Sequence, residues 1–149
     1  MKKILLLAIS SFALWSCTNN DQKTPGQEAK QVEQHPEKSP ATIELNNGEK
    51  WAVNEEMKPP ITKGEGLVNA YIKSNQNNNK ELAQQLKDQN EKLIKSCTMK
   101  GKSHDELHKW LLPHLALVRD LENSPTENDA KQIVLKLQSS FSMYHQYFE

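Results

Sequence analysis

Apolar side chains recur every three or four residues along most of residues 55–148. This spacing limits the chain to helices that pack through one face. It predicts four helices. The first runs from about 55 to 74 and the second from about 79 to 97, while the third begins at Ser103 and the fourth near Thr126. Four amphipathic helices of similar length, joined by short loops, favour an antiparallel bundle.

Each predicted helix carries one apolar stripe on its inward face. The stripes are Met57, Ile61, Val68, Tyr71 and Ile72; Leu82, Leu86, Leu93 and Cys97; Leu107, Leu111, Leu115, Val118 and Leu121; and Ala130, Ile133, Leu137, Phe141, Tyr144 and Phe148. Pro59 and Pro60 fit only a first turn, so they favour a helix start just before them. Asn54 is the predicted N-cap there. Ser103 and Glu106 match the S-x-x-E capping box, which predicts that they cap the third helix.

Two segments precede the predicted helices. Residues 42–53 (TIELNNGEKWAV) alternate apolar and polar side chains around Asn47-Gly48, which is typical of a β-hairpin. Residues 18–41 are polar and interrupted by prolines, and such a composition cannot bury enough apolar area to fold. The predicted fold class is therefore all-α: an antiparallel four-helix bundle preceded by a short β-hairpin and a disordered N-terminal tether.

The N-terminus has the pattern of an export signal. Lys2 and Lys3 precede an apolar run that is too short to span a bilayer, and Ser16 precedes Cys17. The ending Leu-Trp-Ser-Cys resembles a bacterial lipobox, which implies cleavage before Cys17 and attachment of lipid to it. The predicted parts are a signal peptide at 1–16, the lipidated cysteine and tether at 17–41, and the folded domain at 42–149. We expect a location in the cell envelope, on the outer membrane facing the periplasm, with the lipid as the membrane contact.

Charge gives no reason to expect nucleic-acid binding. Residues 1–16 contain two lysines and no acidic residue, so 17 basic and 19 acidic side chains remain after cleavage. A nearly neutral domain lacks the basic surface that attracts phosphates.

The segment SCTMKGKSHDELHKW, at 96–110, concentrates metal-ligand side chains. In an up-down-up-down bundle, the start of the first helix, the end of the second, the start of the third and the end of the fourth meet at one end. Cys97, His104 and His108 would then converge, because His104 and His108 are one helical turn apart on the same face. Met99 or Met57 could add a thioether, and His145 and Trp51 are accessory candidates at the same end. Thiolate and imidazole ligands suit copper or zinc, so the sequence predicts a soft transition-metal site used for carriage, buffering or sensing.

Other interpretations of these residues remain open. The cysteine, methionines and histidines could serve only to pack a structural or partner-binding bundle without a metal. Met57 and His145 also resemble the axial pair of cytochrome b562-type bundles, which would imply non-covalent haem. His104-Asp105-Glu106-Leu107-His108 differs from the zinc-protease pattern H-E-x-x-H, because aspartate occupies the position of the general base. The sequence assembles no catalytic constellation, so we expect a protein that is not an enzyme.

Two quoted segments carry a resemblance to a family. IELNNGEKWAVNEEM and SCTMKGKSHDELHKWLLPH resemble segments of an uncharacterised family of lipoproteins from Gram-negative envelopes. The resemblance runs from about Ile43 to the end of the chain. It implies an envelope lipoprotein with this fold, and it implies no particular activity.

Overall fold

A computed structural model describes residues 42–74 and 77–149. All of them belong to one compact unit, Glu37–Glu149. The predicted signal peptide, Cys17 and the tether lie outside the described residues.

The described part is mostly helical and contains four α-helices, as the apolar spacing predicts. They are α1 (Lys58–Ser74), α2 (Asn79–Ser96), α3 (Lys102–Glu122) and α4 (Glu127–Tyr147). A single 3-10 turn, Glu55–Met57, leads into α1. Pro59 and Pro60 lie in the first turn of α1, where the absence of an N–H breaks no helical hydrogen bond.

The helices form a four-membered ring in which α1 and α3 each pack against both α2 and α4. Their antiparallel order is visible where the start of α2 meets the end of α3: Asn79 Nδ2 donates to Ser124 Oγ at 2.6 Å, and Lys87 Nζ lies 3.0 Å from Glu122 Oε1. The predicted stripes supply most of the core. Ile72 is the exception, because its side chain faces solvent, while Leu115 and Ile133 are half-buried.

Gly64 lies where α1 packs against α4, and its lack of a side chain matters for that packing. A Cβ atom at this position would lie 3.1 Å from the Phe141 ring, whereas a Cβ at Gly66 would meet nothing within 4 Å. The missing side chain at Gly64 therefore lets α1 and α4 approach closely.

Residues 42–53 close one end of the bundle, and we call them the strap. Asn46 and Glu49 exchange backbone hydrogen bonds of 2.9 and 3.0 Å around Asn47 and Gly48, whose φ angles are 55° and 94°. Positive φ at both central residues is the geometry of the type I′ turn that Asn-Gly favours. No strand flanks this turn within the described ranges, so the pairing of the predicted hairpin is limited to one bridge.

The second half of the strap pairs with the C-terminus of the chain instead. The Trp51 N–H donates to the Tyr147 carbonyl at 2.7 Å, and the Glu149 N–H donates to the Trp51 carbonyl at 3.0 Å. The Val53 N–H adds a third bond, to the Glu149 carbonyl. Trp51 and Phe148 thus form a parallel bridge, and both side chains are buried.

The predicted capping box of α3 is wrong. Helix α3 begins at Lys102, with Gly101 as its N-cap, so Ser103 already lies inside the first turn and its hydroxyl donates to the Lys100 carbonyl. The Glu106 carboxylate instead accepts the strap's Glu44 N–H at 2.8 Å. A tertiary partner has replaced the local one.

Asn54 is likewise not a side-chain cap. Its Oδ1 accepts the Thr98 N–H at 2.9 Å, which fastens the connection between α2 and α3 to the start of α1.

None of the described helices combines the length and hydrophobicity that crossing a bilayer requires.

Candidate functional site

The two histidines of the 96–110 segment lie together at the start of α3. The ring centroids of His104 and His108 are 4.3 Å apart, with 46° between the ring planes. His104 is half-buried and His108 is exposed. The spacing of one helical turn therefore brings the imidazoles together, as the sequence predicts, but on the surface rather than in the interior.

Cys97 and Met99 lie just before this pair, in the connection between α2 and α3. Both are half-buried and pack against the core, and the Cys97 thiol is free. Across residues 42–74 and 77–149, no group of three or more histidine, cysteine, aspartate or glutamate side chains is close enough to hold a metal ion. The structure therefore unites His104 with His108 and does not bring Cys97 into the same group.

The remaining candidates at this end make other contacts. Met57 is completely buried in the core. The Trp51 indole N–H donates to the Glu44 carbonyl at 2.7 Å, and the Lys102 ammonium lies 6.0 Å from the centre of the indole. His145 is exposed, with its Nε2 2.9 Å from Glu65 Oε2. Since His145 faces solvent and Met57 faces the core, this pair supports no haem proposal.

A larger feature lies along the other side of α3. A groove with a volume of about 560 Å³ runs between α3 and α4 and reaches the strap at one end. Ligand pockets commonly have volumes of roughly 300–1,000 Å³, so the groove has the capacity of a binding site. Its lining comes from Thr42 and Ile43; from Lys109, Trp110, Pro113 and Leu117; and from Gln132, Leu135, Lys136, Ser139, Ser140, Met143, Gln146 and Tyr147.

The groove surface is mainly apolar. Leu135 is 49% exposed and Met143 is 45% exposed, although both are large hydrophobic residues. Trp110 also lines the groove, with 2% of its surface exposed, and its indole N–H donates to the Ser140 carbonyl at 2.8 Å. Because this polar atom is satisfied inside the protein, the indole ring contributes an apolar wall.

His114 supports this wall from behind. Its ring stacks on Trp110 at a centroid distance of 4.9 Å, and its Nδ1 lies 3.0 Å from Ser140 Oγ. The His114 side chain is completely buried, and burial lowers its pKa to about 4. The imidazole is therefore neutral at neutral pH, which keeps an uncharged layer behind the groove.

The charges at the groove have one sign. Among the described residues, Lys109 and Lys136 are the charged ones that line the groove, and none of these lining residues is a carboxylate. Lys109 is already engaged, since its Nζ donates to Glu106 Oε1 at 2.7 Å and to the Thr42 carbonyl at 3.0 Å. Burial alone would raise the pKa of Glu106, but the hydrogen bonds from Lys109 and from the Glu44 N–H, together with the charges of Lys109 and Lys102, hold that pKa below its usual value.

The groove lies beside the main apolar stripes of α3 and α4, so the stripes alone do not indicate it. Its signal is a second apolar row beside each stripe: Trp110, Pro113 and Leu117 on α3, and Leu135 and Met143 on α4. The members of each row are three, four or eight residues apart, so each row follows one side of its helix. His114, which is buried behind the groove, was not among the predicted functional residues.

The structure thus belongs to the class of four-helix bundles, with an apolar groove on its surface between α3 and α4. No family model, curated protein or solved structure matches the chain in comparisons with known proteins. The resemblance to envelope lipoproteins therefore stays a prediction from the sequence.

Proposed function

We propose that this chain is a lipid-anchored protein of the cell envelope whose four-helix bundle binds an apolar ligand in the groove between α3 and α4. The observation that carries the proposal is the exposure of Leu135 and Met143 in the same groove as the buried Trp110 ring. Exposed apolar side chains that are grouped in a concave site mark binding surfaces, whereas scattered ones need no explanation. Lipidation at Cys17, with the protein on the outer membrane facing the periplasm, rests on the sequence of residues 1–17.

The groove can be tested by photolabelling the full chain in phosphatidylcholine nanodiscs. Two uncharged probes are used: a diazirine derivative of hexadecanol and a diazirine-bearing amphipathic helical peptide of leucine and glutamine. Mass spectrometry then locates the adducts. We expect at least one probe to label residues that line the groove, and Leu135→Glu or Met143→Glu to lower that labelling roughly tenfold, since each places a charge in an apolar contact.

Leu112→Glu is the matched control. Leu112 is also on α3 and is 59% exposed, but it does not line the groove. Labelling of the groove should survive this change. Adducts that are absent from the groove with both probes, or that Leu135→Glu and Met143→Glu leave unchanged, would show that the groove is not a binding site.

The anchor has its own test. Cells are fed an alkyne-tagged fatty acid, and the tag is detected on the purified protein. We expect the tag on the wild type and its loss in Cys17→Ser. A tag that persists in Cys17→Ser would contradict lipidation at this position.

The contact between His104 and His108 favours a second candidate function, the binding of copper or zinc. Two imidazoles 4.3 Å apart, one turn apart on a helix, can reach a common ion. Cys97 and Met99, and Met57 from the core, are the proposed additional ligands. They would have to join the pair through a shift of the connection between α2 and α3, or of the 3-10 turn before α1 in the case of Met57.

Titration with Cu(I) and Zn(II) against a competing chelator tests this candidate. Stoichiometric binding should be lost in His104→Ala/His108→Ala and kept in the control His145→Ala. Loss in Cys97→Ser as well would support the set with the thiolate, while retention would indicate a site built on the histidine pair. Equal binding by the wild type and the double variant would exclude both arrangements.

A further inference from the structure

We propose that the groove holds one acyl chain with an anionic headgroup, with the head at Lys136 and the tail running toward the strap. This inference rests on the proposed function, since it names the ligand class of the same groove. It follows from the length, the cross-section and the charge of the groove.

The length of the groove suits an acyl chain. Its lining residues on α4 extend from Gln132 to Tyr147, which is about 22 Å along the helix axis at 1.5 Å per residue. From Lys136 to Tyr147 the same rise gives about 16 Å. One leaflet of a bilayer, which a single acyl chain spans, is about 15 Å thick in its hydrocarbon part. A chain whose head lies at Lys136 would therefore end near Tyr147, Ile43 and the strap.

The cross-section favours an acyl chain over a helix from a protein partner. A helix with its side chains is about 10 Å wide. In a groove between two neighbouring helices, such a partner helix could place only one row of its side chains. A single row of methylene groups could instead lie inside the groove along its length.

The charges indicate an anionic head. Lys136 forms no ion pair with any residue in the described ranges, whereas Lys109 is already bonded to Glu106 and Thr42. Lys136 therefore offers an ammonium group to a ligand, and within residues 42–74 and 77–149 the groove lining contains no carboxylate that would repel an anion. Gln132, one turn earlier on α4, adds an amide that can hydrogen-bond a carboxylate or phosphate.

The strap gives the tail end of the groove its shape. Ile43 is buried and lines the groove, and the Thr42 carbonyl beside it is held by Lys109. This end therefore combines the apolar side chain of Ile43 and the aromatic ring of Tyr147 with a lysine whose charge is compensated by Glu106. An apolar chain end is better suited to this environment than a charged head.

The test adds a third probe, a diazirine derivative of hexadecanoate, to the two uncharged probes, with the full chain in phosphatidylcholine nanodiscs. We expect hexadecanoate adducts on groove residues of α3 and α4. Lys136→Gln should lower labelling by hexadecanoate roughly threefold, the scale of an exposed ion pair, and leave labelling by hexadecanol unchanged. Lys131→Gln is the control, because Lys131 is exposed on α4 but does not line the groove. Lys131→Gln should leave labelling by hexadecanoate and by hexadecanol unchanged.

The outcomes separate this inference from the proposed function. Equal effects of Lys136→Gln on the acid and the alcohol would exclude recognition of an anionic head, while the groove would remain a binding site. Groove adducts formed by the peptide probe alone would show that the groove binds a protein partner and not an acyl chain. A groove that none of the three probes labels would overturn both this inference and the proposed function. Inorganic phosphate is added to distinguish a free phosphate ligand from an acyl ligand. It should not displace the acyl probe, because it has no apolar chain. Displacement of the acyl probe by phosphate would contradict the inference.

Discussion

His114 should make this bundle sensitive to acid. Its imidazole lies between Trp110 and Phe141, and burial lowers its pKa from an ordinary value of 6.5 to about 4. The unfolded chain exposes the same imidazole to water, so it takes up a proton near pH 6.5. Between these two values the unfolded state binds more protons than the folded state. The free energy of unfolding is therefore unaffected by this group above about pH 6.5 and decreases as the pH falls toward 4.

The size of the effect follows from the two pKa values. Linkage gives a loss of about 2 kcal/mol at pH 5 and about 3 kcal/mol at pH 4, relative to neutral pH. Domains of this size have a total stability of roughly 5–15 kcal/mol, so a loss of this size is a large fraction of it.

The perturbation that tests this reasoning is His114→Phe. Phenylalanine keeps an aromatic ring between Trp110 and Phe141 but cannot bind a proton. Losing the contact with Ser140 should cost about 1 kcal/mol at every pH, so the informative quantity is the change with pH. Urea unfolding is followed by circular dichroism from pH 7 to pH 4. The stability of the variant relative to the wild type should rise by about 3 kcal/mol over this range.

His145→Phe provides the matched control, since His145 is on the surface of α4. The control should change the pH dependence far less, by no more than about 1 kcal/mol, because it removes only a solvent-exposed contact with Glu65. Stability curves that stay parallel for the wild type and His114→Phe would refute the reasoning, because they would show that His114 does not titrate differently in the two states.

Three further predictions concern stability and are measured by the same unfolding assay at pH 7. Gly66→Ala should stabilise the protein by roughly 0.5–1 kcal/mol, because its site is open and alanine favours helix. Gly64→Ala should stabilise the protein less than Gly66→Ala does, or destabilise it, because the added Cβ meets the ring of Phe141. An equal gain in stability at both glycines would contradict the close packing of α1 and α4. Asn90→Leu should stabilise by about 1 kcal/mol, because the buried Nδ2 has no partner among the described residues, and a marked loss would indicate a partner there. Glu106→Ala should cost about 1.5–3 kcal/mol by releasing the strap, whereas Glu91→Ala, which removes only an exposed pair on α2, should cost less than about 0.5 kcal/mol; similar losses would show that the strap contact adds nothing.

The helices were predictable because helical periodicity is a local property. Leu107, Leu111 and Val118 are buried where their spacing places them, and the same holds for Leu82, Leu86 and Leu93 of the shorter helix α2. Each position depends on neighbours three or four residues away, so no knowledge of the rest of the fold is needed. The contact between His104 and His108 was predictable for the same reason, and so was the turn at Asn47-Gly48.

The predictions that required a choice between a local and a distant hydrogen-bond partner were wrong. Glu106 had a local partner within reach at Ser103, but its carboxylate lies against the strap, 62 residues away in sequence. The Trp51 backbone could have paired across the turn, but it pairs with the C-terminus. A sequence pattern shows that a group can be satisfied locally, and it does not show which distant group competes for it.

The sequence by itself thus determined the four helices, their inward stripes, the turn of the strap and the pairing of two histidines on one helical face. Tertiary structure alone decided that the pair lies on the surface without Cys97, that Glu106 holds the strap, and that α3 and α4 leave a groove between their second apolar rows. The physical reason is range. Helical spacing and turn geometry depend on residues a few positions apart, whereas burial and the shape of a groove depend on how far apart two packed helices lie. That distance is determined by side chains from all four helices, among them a glycine on α1 and the ring that it faces on α4.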